Sequence, residues 1–354
     1  MGMSDYLLLG RSGLRVSRLA LGGMTFGIPW TGNRGTATPG WGMDQKTVNE
    51  VLAAFVAAGG NFIDTSDHYG RGASEEAIGR YVNANGLRDR MVIGTKAGFS
   101  AEEGNPNAGG SGRKNLMRSL EGSLRRLGTD YVDLFSLHVW DGMTPADEIL
   151  RTFDDMVRSG KVRHVGLSNV PAYFASRFQT VAELRGLEPS CSMQLEYSLA
   201  ERSIECELVP LCRESGMGIT IYSPLASGFL SGKYKRNADA VEGSGRLAEA
   251  PGFGRFSERN WQILDVLHAV AGKLGHSPAQ VALNWAAHRP GVTSVIIGVT
   301  SIPQLQANLA ALDFDIPPDL CKRLDEAGAP VLTYPHNFLR RNARIYLGAK
   351  VTRT

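Results

Sequence analysis

Leu19-Ala20-Leu21-Gly22-Gly23-Met24-Thr25-Phe26-Gly27 decides between two ways of arranging the parallel strands of this α/β chain. Leu19 to Leu21 is a short apolar strand. In an open doubly wound sheet the turn after such a first strand carries G-x-G-x-x-G, whose glycines let the backbone approach a pyrophosphate. Here the turn reads Gly22-Gly23-Met24-Thr25-Phe26-Gly27, which does not match. Downstream, strand-like runs at 61–65, 91–96, 131–138, 162–167, 190–195, 217–222 and 294–297 alternate with helical sequence. The helices run from an Asp44 cap to about Ala58, from Ser74, from Lys114 to Leu127, from Pro145 to Ser159, from Pro171, from Arg202 to Ser215, from Ser277 to His288 and from Ile302. With 19–21 counted first there are eight strands, and eight right-handed βαβ crossovers close into a (β/α)8 TIM barrel. Residues 6–17 precede it as a β-hairpin, and residues 1–354 read as one domain.

Three segments interrupt the alternation. The stretch 25–41 is too irregular for helix or strand, 105–112 is rich in Gly and Asn, and 238–255 is rich in Gly. All three fall at strand ends, and extra loops with an extra helix are expected on the carboxyl-terminal face, where barrel loops carry function. Gly109-Gly110-Ser111-Gly112-Arg113-Lys114 suggests a phosphate cradle but lacks the G-x-x-x-x-G-K-[ST] spacing. The tail 331–354, with Tyr334, Phe338, Tyr346 and several arginines, could cover a pocket or meet another subunit.

Bulk properties narrow the classes of function. The 38 basic and 35 acidic residues are interspersed and give a formal charge of +3, without the basic field that nucleic acid requires. No apolar run is long enough to cross a bilayer, and the N-terminus lacks the features of a secretory signal, so the expected location is cytoplasmic. Cys191, Cys206, Cys212 and Cys321 have no C-x-x-C spacing and read as buried free thiols; the seven histidines have no metal-ligand spacing, and no metal is expected.

Four polar residues follow or end buried strands. Asp64 follows Asn61-Phe62-Ile63, with Tyr69 five residues beyond it; Lys96 follows Met91 to Thr95; His138 follows Tyr131 to Leu137. An unpaired ammonium at a buried strand end costs several kcal/mol, so Lys96 needs a carboxylate, and Asp64 on the adjacent strand is in position to supply it. An ammonium beside Tyr69 favours phenolate and makes the phenol a proton donor and acceptor near neutral pH. His138, reaching across the mouth, would orient a carbonyl or relay a proton. Phe26, Trp30 and Trp140 lie on loops at the same face and are candidates to line an apolar pocket.

Over nearly its whole length the chain resembles an aldo-keto reductase. The resemblance is carried by Asn61-Phe62-Ile63-Asp64-Thr65-Ser66-Asp67-His68-Tyr69-Gly70, by Gly160-Lys161-Val162-Arg163-His164-Val165-Gly166-Leu167-Ser168-Asn169, by Thr95-Lys96 and by Leu137-His138. It implies Tyr69 as general acid, Lys96 and Asp64 as the pair that tunes it, and His138 as carbonyl orienter. It further implies a nicotinamide cofactor, with Ser168, Asn169 and Gln194 on the carboxamide, Tyr222 stacked on the ring, and Gly23, Met24 and Asp64 nearby. The run Tyr222-Ser223-Pro224-Leu225-Ala226-Ser227-Gly228-Phe229-Leu230-Ser231-Gly232-Lys233 resembles the segment that wraps the pyrophosphate, and Arg246 a phosphate-contacting arginine. Gly298, Thr300, Gln304 and Asn308 match the adenosine end. That end departs from the pattern: relatives carry Arg or Lys near Thr300 for a 2′-phosphate and Glu where Ala307 stands. NADPH is the expected cofactor, and NADH remains open. The implied reaction is reduction of an aldehyde or ketone in a small-molecule substrate. The alternative implied by the same resemblance is a redox-sensing regulatory subunit like the β subunits of potassium channels, although His138 is retained here. Oligomeric state is not visible in the sequence.

Overall fold

The protein is described by a computed structural model covering residues 2–27, 42–236, 247, 256–349 and 351. Two short strands, β1 (Leu7–Leu8) and β2 (Arg15–Val16), pair antiparallel as the expected hairpin. Eight further strands follow: β3 (Leu19–Gly22), β4 (Phe62–Asp64), β5 (Val92–Ala97), β6 (Val132–Leu137), β7 (Val162–Ser168), β8 (Ser190–Glu196), β9 (Gly218–Tyr222) and β10 (Val292–Ile297). They are parallel and close in the order β10-β3-β4-β5-β6-β7-β8-β9. The closed barrel leaves no strand edge unpaired.

The surrounding helices are α1 (Gln45–Ala57), α2 (Ala73–Ala84), α3 (Arg113–Leu127), α4 (Ala146–Arg158), α5 (Ala172–Arg185) and α6 (Leu208–Ser215), followed by α7 (Glu258–Leu274), α8 (Pro278–Ala287), α9 (Ile302–Leu309), α10 (Pro318–Ala327) and α11 (His336–Leu347). Local chemistry sets several boundaries. The Asp44 carboxylate caps α1 by accepting from Thr47 N at 2.8 Å, and Ser277 with Gln280 forms a capping box at the start of α8. The helix expected over 202–215 is broken: a 3-10 turn at Ser203–Glu205 precedes α6, where Arg202 is bound to Glu205 at 2.7 Å through Nε instead of leading straight into a helix. Helix α7 is a second helix between β9 and β10, and α10 and α11 follow the last barrel strand and its helix α9, so these three stand outside the one-helix-per-strand alternation. In the tail, α11 carries His336, whose Nε2 lies 3.2 Å from Glu207 Oε1. No helix among the described residues is long and apolar enough to cross a membrane.

Period-two alternation sorts each strand between two cores. Leu19, Leu21, Ile63, Ile93, Phe135 and Leu137 pack outward with the helices. Ala20, Phe62, Val92, Leu134, Cys191 and Ile296 form a separate cluster with Leu9 and Val16 of the hairpin. The hairpin therefore plugs one end of the barrel. Gly10 sits there in a left-handed conformation (φ 60°), where a Cβ would come within 2.2 Å of Cys191 O. The same alternation carries inward-facing positions up each strand: Phe62 leads to Asp64, Val92 through Gly94 to Lys96, and Leu134 through Ser136 to His138. The apolar floor and the polar mouth are thus successive layers of one lumen.

Candidate active site

Lys96 is only 1% exposed, and Asp64 4%. Neighbouring registry of β4 and β5, with Asp64 opposite Gly94, brings the two side chains together. Lys96 Nζ donates to Asp64 Oδ2 and to the Thr65 carbonyl, both at 2.7 Å. The second oxygen of Asp64, Oδ1, accepts from Gln194 Nε2 at 2.7 Å. Lys96 Nζ also lies 4.8 Å from the centroid of the Tyr69 ring. Burial works against the ammonium, but Asp64 and then Tyr69 outweigh it, so the Lys96 pKa lies above its ordinary value.

Tyr69 reaches this position because the chain turns sharply after β4. Its N–H donates to Ser66 O at 3.2 Å. Gly70, Arg71 and Gly72 all have positive φ (56°, 55° and 98°), which delivers the chain directly into α2. A non-glycine residue in that region costs about 1 kcal/mol or more, and Arg71 holds it next to the candidate acid. The turn is fastened from below: Thr65 Oγ1 and Ser74 Oγ are 2.7 Å apart, and Ser74 Oγ donates to Gly23 O at 2.7 Å. A Cβ on Gly23 would lie 2.6 Å from Ser74 Oγ, so close packing alone demands glycine there.

His138 is 8% exposed and follows β6. Its ring meets Tyr69 edge to face with centroids 5.8 Å apart, and Phe99 likewise at 4.7 Å. Burial, then Lys96 and His68, hold its pKa well below 6.5, so it is neutral at neutral pH. Nδ1 lies 3.0 Å from Ser66 Oγ. Asp64, Tyr69, Lys96 and His138, expected from sequence to converge, are brought together.

The other expected positions fall around them. Asn169 adopts a left-handed backbone (φ 50°) and donates through Nδ2 to His138 O at 2.8 Å and to Ser168 Oγ at 3.0 Å. Its Oδ1 accepts from Tyr222 Oη at 2.9 Å. Ser168, Asn169, Gln194 and Tyr222 thus form one polar band across the ends of β7, β8 and β9, tied to the tetrad. Beyond Tyr222, Ser223, Ala226 and Ser227 have positive φ (52°, 48° and 58°), as does Gly228. Pro224 and Leu225 lie within this run, and Lys233 beyond it has its ammonium 5.3 Å from the Tyr234 ring centroid. At the end of β10, a Cβ on Gly298 would meet nothing within 4 Å. Thr300 donates through N and Oγ1 to Gln304 Oε1, Ser301 caps α9, and Asn308 is buried. Met24 lies in a 3-10 turn, Gly23–Thr25, after β3. Arg246 and Trp30 lie outside the described residues.

Of the aromatic candidates, Phe26 is 2% exposed and packs in the core. Trp140 donates to Thr144 O at 2.9 Å and lies against Phe174, with centroids 4.5 Å apart. Sequence reading missed Phe99, which is 40% exposed beside His138, and His68, whose ring lies tilted against it with centroids 4.9 Å apart. A single aromatic in a loop leaves no periodic signal. It also missed the layer behind the tetrad, where fully buried Glu75 accepts from Thr95 Oγ1 at 2.6 Å and pairs with Arg126 at 2.6 Å. Burial, reinforced by Glu75, pushes Asp67 up to about 6. Cys191 and Cys212 are buried free thiols raised to about 12 by burial, whereas Cys206 and Cys321 are half-buried, which corrects the expectation that all four are buried. No group of three or more His, Cys, Asp or Glu side chains suited to a metal ion occurs among the described residues.

Known proteins carry the same sequence pattern. The profile of the Aldo/keto reductase family matches residues 18–329. An aryl-alcohol dehydrogenase of Pestalotiopsis microspora is 32% identical, over 94% of this chain and 84% of its own. The uncharacterized oxidoreductase YrpG of Bacillus subtilis (strain 168) is 34% identical, over 91% and 95%. An aryl-alcohol dehydrogenase [NADP(+)] of Phanerodontia chrysosporium is 31% identical, over 89% and 83%. With its closed parallel barrel, its hairpin plug and the four strand-end residues, the chain belongs to the aldo/keto reductase family of oxidoreductases.

Proposed function

We propose that the protein reduces an aldehyde or ketone to an alcohol, using a reduced nicotinamide dinucleotide, with Tyr69 as the general acid. The observation that carries this reading is the buried Lys96 ammonium held between Asp64 and the Tyr69 ring. A carbonyl oxygen in the mouth would take its proton from the Tyr69 hydroxyl. The phenolate left behind is stabilised by Lys96, because the attraction that favours the ammonium favours the phenolate equally. Lys96 keeps its own charge through Asp64, which Gln194 holds from the other side. Proton transfer by such a positioned acid contributes about 10²–10⁴-fold to rate.

The cofactor reading is supported by the donor set. Amide and hydroxyl groups of Ser168, Asn169 and Gln194 at adjacent strand ends suit a carboxamide, and Tyr222 offers a ring face. Positive φ at Ser223, and again at Ala226, Ser227 and Gly228, makes the kind of concave backbone that accepts phosphate oxygens. When bound, the reduced nicotinamide supplies the hydride. NADPH is the preferred form in this reading, in keeping with the name of the P. chrysosporium relative. Residues 298–309 contain no Arg or Lys, so discrimination against NADH should be modest, and separate titrations of the two cofactors test that. The exposed Phe99 face beside His138, and the names of two relatives, favour an aryl carbonyl compound as substrate.

Tyr69→Phe tests the mechanism. Carbonyl reduction is expected to fall by about 10²-fold or more, while NADPH still quenches tryptophan fluorescence. Turnover equal to wild type would remove Tyr69 from the role of acid.

A further inference from the structure

Ser66 has no role in the reaction as proposed above, yet it touches His138 at the nitrogen that decides what the histidine can do. A neutral imidazole carries one proton, so one ring nitrogen donates and the other accepts. Nδ1 faces Ser66 Oγ at 3.0 Å, and Nε2 is the other functional nitrogen. Ser66 is fully buried, and its hydroxyl has one proton and two lone pairs. His68 N–H donates to Oγ at 3.2 Å and takes one lone pair. The remaining proton and lone pair are shared among Lys96 O at 3.1 Å, Asp67 Oδ1 at 3.3 Å and His138 Nδ1. The carbonyl accepts only, as does Asp67 while ionised.

Two arrangements follow. If Ser66 donates to Lys96 O or Asp67, its second lone pair receives Nδ1–H, three contacts are satisfied, and Nε2 presents a lone pair. If Ser66 donates to Nδ1, two contacts are satisfied and Nε2 carries a proton. The first suits an alcohol hydroxyl, which donates. The second suits a carbonyl oxygen, which would otherwise meet a lone pair. We infer that Ser66 sets the tautomer of His138, holding Nδ1–H in the free protein and turning its hydroxyl onto Nδ1 to leave Nε2–H when a carbonyl occupies the mouth.

The exchange balances within the groups present and water. Nε2 gains a proton from solvent; Nδ1 passes its proton to Ser66 Oγ, which gives its own to the Asp67 carboxylate, and Asp67 returns a proton to solvent and is again ionised. Ser66 is again a hydroxyl, now donating to Nδ1, and the imidazole is again neutral. Asp67 suits the acceptor role because burial and Glu75 raise its affinity for a proton, opposed by Ser119, Arg126 and Ser66 itself. Ser66 is a positioning residue, acting through His138.

The inference rests on the carbonyl reductase reading, and nitrogen-15 NMR of the imidazole tests it without turnover. In the free wild-type protein His138 should give the Nδ1–H signature. With oxidised NADP and benzaldehyde, a combination that cannot react, the signature should change to Nε2–H; with NADPH and benzyl alcohol it should remain Nδ1–H. In Ser66→Ala the signature should be the same in both complexes, and the ratio of kcat for reduction to kcat for oxidation, each at saturating substrate, should change by about tenfold, the size of one lost hydrogen bond of about 1.4 kcal/mol. Nε2–H in the free wild-type protein, an unchanged tautomer when benzaldehyde demonstrably binds, or switching in Ser66→Ala as in wild type would overturn it. Nδ1–H in the free protein with no response to benzaldehyde at any site residue would instead uphold the resting tautomer and count against the substrate reading.

Discussion

Asp64→Asn removes one charge from a buried pair without changing its shape. In the wild type both Asp64 oxygens accept, Oδ2 from Lys96 and Oδ1 from Gln194. The new amide must point its NH2 group at one of these two donors, and Lys96 is left 1% exposed without a counter-charge. Removing one partner of a buried ion pair costs about 3–5 kcal/mol. Unfolding entropy of about 2.1 cal/mol/K per residue over the 354 residues converts that cost into a Tm lower by about 4–7 °C.

The pH dependence carries a sign as well as a size. Wild-type Lys96 has a folded pKa above its unfolded value, so its contribution is complete below about pH 10 and is lost only as pH rises through the folded pKa. Wild-type stability should therefore show no slope from this pair between pH 7 and 9. In Asp64→Asn the desolvation of Lys96 is no longer offset, its folded pKa drops, and stability should rise with pH over the same range. Denaturant melts at several pH values read this directly. The double variant Asp64→Asn/Lys96→Met carries neither charge and should recover most of the lost stability while remaining inactive, since the phenolate has lost its cation. A single variant that melts within 1 °C of wild type, or a double variant that reduces carbonyls normally, would refute the reasoning.

Two further substitutions probe the surroundings. Phe99→Ala should raise KM for an aryl aldehyde by about 3- to 10-fold, in line with the roughly 0.5–1.5 kcal/mol of an aromatic contact, with little change for a short aliphatic aldehyde; equal effects on both would take Phe99 out of the pocket. Asp67 has a folded pKa of about 6, above its unfolded value, so its ionisation costs stability as pH rises from about 4 to 6. Asp67→Asn should therefore be stabilised by about 2–3 kcal/mol at pH 8 and by little at pH 4, measured by denaturant titration; a gain at pH 4 as large as that at pH 8 would mean that the carboxylate is not the source.

Much of the site is legible in sequence because a strand converts spacing into direction. Once Phe62, Val92 and Leu134 face the lumen, Asp64, Lys96 and His138 must face it too, at even offsets. Tyr69 is different. Its place depends on three consecutive left-handed residues, and Arg71 among them carries no compositional sign of that conformation. The band from Ser168 to Tyr222 was expected through family resemblance, but its connection to the tetrad through Asn169 and Gln194 required coordinates. Phe99 and Glu75 left no signal, because their roles come from neighbours distant in the chain. The unbroken helix expected over 202–215 is replaced by a 3-10 turn at Ser203–Glu205 and a break at Glu207, whose φ of −133° lies outside the helix, and residue propensities do not mark that break.

The sequence by itself determined the barrel, since eight apolar runs separated by helices, with no dinucleotide fingerprint at Gly22 to Gly27, admit few other closures. It also determined which side chains enter the mouth, through the period of two. Only the tertiary structure decided how those side chains are charged and protonated. That depends on burial and on partners brought close by barrel closure: Asp64 and Tyr69 around Lys96, Ser66 against His138, and Glu75 behind Asp67. Contacts such as Lys96–Asp64 at 2.7 Å and Ser66–His138 at 3.0 Å, between residues tens of positions apart, set those energies, and local sequence does not encode them.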